Sequence, residues 1–471
     1  MKKAITYSPG GVAPSQALHF GLVFLLVQLV ACADVMQPDY SQPNTPQKPA
    51  WQASIPDSKE VIRPDWWAGF GDSYLDTLVE RALEGDYDLK MLATRIEVAA
   101  IAADIDKAAS LPKLTPDVSK QFQRDPTGTT DTYSLSFSSS WEFDIWGRVK
   151  KGIESKESEF HATEADWIAG YLKLVSDVSS KYFEIRKLDQ QIEQQKKSII
   201  QNNKILVIYQ QQISEGLVSR SKVLQQEAEY HSKNKDLLEL TRQRDIAENL
   251  LATLLGVPSG ELEVPSTLNG ESIKIPDVPV GLPSTLLSRR PDLIAQEYRV
   301  LAAYQLLGQA KLEQLPKFSL TADGGVSSDR LSQLLNKWSL GLAPSVSIPI
   351  FDASIKTNIR SNEAQVKLAE DQYRKTVIKA FEEVENTLVN LSSRKIQRKT
   401  LEKQVDNLEI VNRNINLQLK EGLVSQLEVF EVERTLLSAK QSVLEIDQQL
   451  LADTVKLYKA LGGGWPEVDV K

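Results

Sequence analysis

The chain carries one thiol, Cys32, and three histidines, which bounds its nucleophile and metal chemistry at once. A single cysteine cannot form a disulfide within the chain. His161 and His231 lie far apart in sequence, with no acidic or thiol ligands at metal spacing around either, so they read as solvated helix-face residues. Arg289-Arg290 could meet a phosphate, but no glycine-rich loop precedes the pair and Pro291-Asp292 comes directly after it, so an ion-pairing, structural role fits better. No nucleophile–base pair, phosphate loop or carboxylate dyad with a defined pocket can be assembled. The expectation is a protein that is no enzyme and needs no cofactor. A formal charge of -8, from 55 basic and 63 acidic residues, leaves no basic surplus for a phosphate backbone and argues against nucleic acid as a partner.

Cys32 is informative by position. Lys2 and Lys3 give a positive start, and Phe20 to Ala31 is an apolar run too short and too near the terminus for a spanning helix, so residues 1–31 read as a signal peptide. Leu29-Val30-Ala31-Cys32 resembles the bacterial lipobox, in which cleavage before the cysteine leaves a lipid-modified amino-terminal residue. Several acyl chains at Cys32 would anchor the chain where one alone binds marginally. An ordinary signal peptide with an incidental cysteine is the alternative. The residue after Cys32 is Ala33, with Asp34 third, which points to the outer membrane, because an aspartate in second place usually signals retention in the inner one. Residues 32–62, with Pro38, Pro43, Pro46, Pro49 and Pro56, read as a lipidated, extended tether.

Elements long enough to organise the rest come from two proline-free tracts, 127–257 and 350–465. In the first, Val178, Tyr182, Ile185, Leu188, Ile192, Ile199, Leu206, Tyr209 and Ile213 recur mostly by threes, fours and sevens. Leu401, Val405, Leu408, Val411, Ile415 and Leu419 do so in the second. A helix running from Gly147 to Ile213 would be about 100 Å long at 1.5 Å per residue. Glu215-Gly216-Leu217-Val218-Ser219 recurs as Glu421-Gly422-Leu423-Val424-Ser425, which marks a duplicated unit. In each copy glycine ends one helix and serine can cap the next, the punctuation of an antiparallel coiled-coil hairpin with its tip at Gly216 or Gly422.

Ahead of each long tract the period changes to two. Tyr133, Leu135, Phe137, Trp141 and Phe143 alternate with serines and Glu142; Trp338, Leu340, Leu342, Val346, Ile348 and Ile350 alternate with small residues. Leu114 to Phe122 and Phe318 to Val326 supply weaker partners. One apolar, aromatic face and one small, polar face suit lipid outside and water inside, although a soluble sandwich would alternate likewise. The lipoprotein start and the lack of 18 consecutive apolar residues in the mature part favour membrane strands. Four strands cannot close a barrel, and open edges in lipid leave backbone groups unpaired, so the barrel must be shared between subunits.

These features together resemble the TolC-like outer-membrane efflux proteins, and among them the OprM/NodT-type lipoproteins. The resemblance is carried by Trp66-Trp67 with Asp72 and Leu75, by Asp88-Leu89, and by Trp141 through Asp144-Ile145-Trp146-Gly147-Arg148. It continues through Gly256-Val257-Pro258, Arg289-Arg290-Pro291-Asp292-Leu293, Pro349-Ile350-Phe351-Asp352 and Gly462-Gly463-Gly464-Trp465. It implies a mainly α fold with a small β part. Long coiled-coil hairpins in two repeats, plus four membrane strands, would assemble as a homotrimer with a twelve-stranded β-barrel and a periplasmic α-helical tunnel. The first repeat would span 63–262, with strands at about 113–123 and 132–144 and a tip near 216. The second would span 263–465, with strands at about 317–327 and 338–350 and a tip near 422, and 466–471 would form a tail.

The implied function is passive conduction of small molecules such as drugs. The implied partners are a periplasmic adaptor, an inner-membrane pump of the resistance-nodulation-division type and outer-membrane lipid. An exit channel for type I protein secretion and a non-channel coiled-coil spacer are the alternatives. In related channels acidic side chains just after the second tip line the periplasmic entrance. Here Glu428 and Glu431, one helical turn apart, occupy that place, whereas the first copy has Lys222 and Gln225; a solvated coiled-coil face is the alternative. Val424 stands where some relatives carry a basic residue that helps lock the closed state.

Overall fold

The computed structural model describes residues 38, 40–45, 48–52, 62–126, 128–266, 273–281 and 283–465. The fold is mainly α with one small antiparallel sheet. The principal elements run α1 (Ser73–Gly85), α2 (Tyr87–Ala109), β1 (Lys113–Asp125), β2 (Gly128–Phe143), α3 (Arg148–Ser214) and α4 (Arg220–Leu254). After these come α5 (Pro283–Arg289), α6 (Pro291–Leu312), β3 (Lys317–Ser328), β4 (Trp338–Ser347), α7 (Ala353–Lys420) and α8 (Gln426–Ala460). The chain divides into two compact units: one takes the residues up to Asn44, Arg95–Thr163 and Ala295–Arg374, the other Thr45–Thr94, Glu164–Ile294 and Lys375 onward.

The first unit holds the sheet, in the order β1-β2-β3-β4, antiparallel throughout. Register decides its faces. Val118 pairs with Leu135 and Leu135 with Val326, so Leu114, Val118, Phe122, Leu135, Phe137, Leu320, Leu340 and Leu342 share one face. The opposite face carries Thr115, Asp117, Ser119, Ser134, Ser136, Ser138, Thr321, Asp323 and Ser345, with Oγ–Oγ hydrogen bonds of 2.7 Å for both Ser119–Ser134 and Ser319–Ser345. Pro116 and Pro344 both fall on edge strands, where a missing N–H is tolerated.

The strand ends differ from expectation in two places. Residues 124–131 are mostly strand rather than loop, since the β1–β2 ladder runs on to the pair Asp125–Gly128. β4 stops at Ser347, short of residue 350, as Pro349 has no N–H to continue a ladder. Junctions between period two and period 3.6 are pinned by side chains. The Asp144 carboxylate accepts from the amides of Val149 (3.0 Å) and Lys150 (2.8 Å) at the start of α3, and Asp352 accepts from that of Ser354 (2.8 Å) at the start of α7. The Trp146 indole donates to the Pro316 carbonyl at 2.7 Å, and Arg148 forks onto both oxygens of Glu142.

The second unit contains a buried aromatic core. Trp66 stacks on Tyr458 with centroids 4.8 Å apart, Phe70 lies 5.0 Å from Phe183, and the Tyr182 hydroxyl donates to Asp72 at 2.6 Å. Asp72 also accepts from the amides of Tyr74 and Leu75, capping α1. Glycine is needed where α1 ends against the loop after α4: a Cβ at Gly85 would lie 2.1 Å from the Leu255 carbonyl oxygen, and Gly256, at φ +69°, would clash with Gly85 in turn. Arg290 is buried and ion-paired, with Asp292 at 2.7 Å and Glu383 at 2.8 Å, and donates to the Ala460 carbonyl. Within the segment expected to be an extended tether, Trp51 donates to the Gly281 carbonyl at 2.7 Å and Lys48 pairs with Glu385.

Candidate functional site

The two hairpin tips share one backbone design. Gly216 and Gly422 both adopt φ +72°, which a side chain rarely permits. Leu217 N–H donates to the Gln212 carbonyl and Leu423 N–H to that of Gln418, both at 2.9 Å, while the glycine amides reach back to Ile213 and Leu419. This double return satisfies the last carbonyls of α3 and α7. Leu217 and Leu423 remain exposed at the tips.

Beyond the glycine the two tips diverge. Ser425 closes a capping box with Glu428: the glutamate carboxylate accepts from the Ser425 amide (3.0 Å) and hydroxyl (2.8 Å), and the Glu428 amide donates back to Ser425 Oγ. These hydrogen bonds, the one from the Ser425 backbone foremost, hold the Glu428 carboxyl below the usual range. Ser219 caps α4 with no side-chain bond, and Lys222 stands where the box needs its acceptor. Lys222 instead places its ammonium 6.0 Å from the Tyr209 ring. Glu431, exposed, pairs with Arg434 at 2.8 Å. Glu428 and Glu431 are therefore both exposed near the start of α8, each already bonded, with Val429 buried between them.

Between tip and core runs a feature that apolar periodicity missed. Val178, Tyr182, Ile185 and Leu188 are buried as expected, but Ile192 and Ile199 are only half-buried. The heptad line from Leu188 continues instead through Gln195, Asn202 and Tyr209, all buried. Gln195 Nε2 donates to the Lys233 carbonyl (2.8 Å) and Gln226 Nε2 to the Asn202 carbonyl (2.9 Å). Both bridges lie seven residues apart on each helix and demand the same antiparallel register of α3 and α4. The spacing of Gln226 and Lys233 by seven was the available signal, hidden because both residue types usually face water. In α7, by contrast, no residue from 389 to 425 is buried within the single chain, and its apolar stripe at Leu401, Val405, Leu408, Ile415 and Leu419 is only partly covered.

Cys32 lies outside the described residues. Among the described residues, no helix is long and apolar enough to cross a membrane. None of their His, Cys, Asp and Glu side chains gather in a metal-holding group of three or more.

The sequence profile of the family described as "Outer membrane efflux protein" matches residues 78–257 and 282–463. The cation efflux system protein CusC of Escherichia coli O6:H1 is 27% identical over 97% of this chain and 100% of that protein. The pyoverdine export outer membrane protein OpmQ of Pseudomonas aeruginosa is 28% identical, over 95% and 97%. Among solved structures, the outer-membrane channel OprN superposes with a TM-score of 0.83 at 26% identity, covering 91% of this chain and 99% of that one. The Campylobacter jejuni CmeC channel shares the fold, with a TM-score of 0.84 at 21% identity.

Proposed function

The chain belongs to the outer membrane efflux protein family, and from that premise we propose that three copies close a twelve-stranded barrel in the outer membrane and conduct small molecules outward through a helical periplasmic tunnel. The observation that carries the reading is the sheet: one face is mostly apolar and exposed, with the Lys120–Asp131 ion pair near the β1–β2 turn, the other carries hydroxyls with Asp117 and Asp323, and both edges, β1 and β4, are open. An apolar exposed face suits lipid, and open edges must find strands of another copy there. The partly covered apolar stripe of α7 supports the same assembly, because a neighbouring copy would bury it. No catalytic step is required. Energy would come from an inner-membrane pump through a periplasmic adaptor, with the exposed Leu217 and Leu423 offering apolar contacts at the tips.

Within this function, Cys32 would carry the lipid anchor, and Glu428 and Glu431, repeated three times about the axis, would form an acidic periplasmic entrance. The recurring tip sequence and the matching order of helix, two strands and two long helices support an ancestral duplication. Reconstitution in planar bilayers tests the whole: the purified trimer should give discrete single-channel currents. A trimer that inserts and never conducts would turn the reading towards a coiled-coil spacer.

A further inference from the structure

We propose that Ser425 is the positioning residue of the channel entrance: it holds the Glu428 carboxylate at a fixed place on the second tip, so that the charge is presented there rather than swept through solvent by a free side chain. This rests on reading Glu428 as an entrance residue.

The two tips supply an internal comparison. Their glycines share one φ, and their returning hydrogen bonds agree within 0.1 Å, 3.1 and 2.9 Å at the first and 3.0 and 2.9 Å at the second. After the serine they diverge, Arg220-Ser221-Lys222 in one and Gln426-Leu427-Glu428 in the other, and the third of these is where a capping box takes its acceptor. Of lysine and glutamate, only the latter can accept from the serine's amide and hydroxyl, and the structure has both bonds on one oxygen, Glu428 Oε1. An exposed glutamate ordinarily explores many rotamers. Here two hydrogen bonds restrain it, while its other oxygen stays available to a passing cation. Glu431 is restrained differently, through a single contact to Arg434 on its own helix. The next residue after Ser425 is buried: Gln426 is 5% exposed and accepts from Tyr209, so the helix start that carries the box is itself seated on α3. The box thus joins a fixed backbone to a fixed charge.

The experiment uses the full lipoprotein trimer with Ser425→Ala, Ser425→Thr, Lys222→Glu and Glu428→Gln. Hydrogen exchange should run about fivefold faster in the first turn of α4 than in that of α8, the ratio a typical side-chain cap gives. Ser425→Ala should erase the difference, and Lys222→Glu should slow the first tip by installing the missing acceptor. In bilayers under a salt gradient, Ser425→Ala should move the cation-over-anion permeability ratio towards that of Glu428→Gln, while Ser425→Thr, which keeps the hydroxyl, should restore it. If Glu428→Gln lowers the ratio and Ser425→Ala leaves it at the wild-type value, Ser425 only stabilises the helix and the proposal is overturned. Equal exchange at the two wild-type tips overturns it as well. If Glu428→Gln itself changes nothing, the entrance reading fails and takes the role of Ser425 with it.

Discussion

The Tyr209 hydroxyl donates a 2.8 Å hydrogen bond to Gln426 Oε1, joining α3 of the first hairpin to the first turn of α8 in the second, with both side chains buried. The Gln426 Nε2 has no protein partner, so the whole amide depends on this bond for its place. Tyr209→Phe keeps the ring packed with Leu206 and Val223 but strands the Gln426 oxygen. A buried acceptor without a donor costs about 1–3 kcal/mol. The tip should then exchange faster and the trimer should denature at lower urea, whereas an unchanged midpoint would mean that the bond contributes nothing in solution.

Strand faces can be tested by charge. Leu135 and Leu342 lie on the exposed apolar face, Ser136 and Ser345 on the hydroxyl face. Arginine facing lipid near mid-membrane costs about 2–4 kcal/mol, while on a wet lumen it keeps its hydration. Leu135→Arg and Leu342→Arg should lower the yield of heat-resistant trimer in outer-membrane fractions, and Ser136→Arg and Ser345→Arg should not. Equal tolerance of all four would revive a soluble sheet.

Lipid attachment is read by mass. Mature protein should begin at Cys32 and carry acyl chains, and Cys32→Ser should accumulate as unprocessed or unlipidated chain. Assembly should slow rather than stop, since strands and helices anchor the trimer independently. An acylated amino terminus in Cys32→Ser would rule the assignment out.

Acid should act on the second tip alone. The Glu428 carboxyl sits below its usual value near 4.5 because the Ser425 amide and hydroxyl bond its charged form. A depressed folded pKa means that the cap's contribution is complete above the usual value and fades as pH falls through the folded one. Exchange in the first turn of α8 should therefore be insensitive to pH from 8 to about 5, after correction for intrinsic rates, and should speed up in stronger acid. The first turn of α4, with lysine at the matching place, should show no such step.

Arg290 holds two carboxylates and a helix-end carbonyl from a buried position. Arg290→Met leaves Asp292 and Glu383, 39% and 41% exposed, without their cation, and takes from the Ala460 carbonyl a donor whose loss at a buried acceptor costs about 1–3 kcal/mol. Thermal unfolding in detergent should drop by several degrees. A variant as stable as wild type would mean that the Ala460 carbonyl finds another donor and that the exposed carboxylates need no cation.

The sequence alone determined everything that periodicity and backbone chemistry encode locally. Long helices took the proline-free tracts from Arg148 and Ala353 onward, glycine and serine marked both tips, and alternation placed four strands and their faces, because each depends on residues a few positions apart. Arg290 could be read as an ion-pairing residue from the Pro291-Asp292 beside it, but not its Glu383 partner, 93 residues away. Tertiary structure decided which helix faces meet. The line Leu188, Gln195, Asn202, Tyr209 is buried in preference to Ile192 and Ile199 because α4 and α8 pack there, and their positions come from hairpin register and the Tyr209–Gln426 bond rather than from local hydrophobicity. It also decided that Glu428, legible only as a charge after a turn, is a bonded cap, since two hydrogen bonds fix an orientation that composition cannot specify.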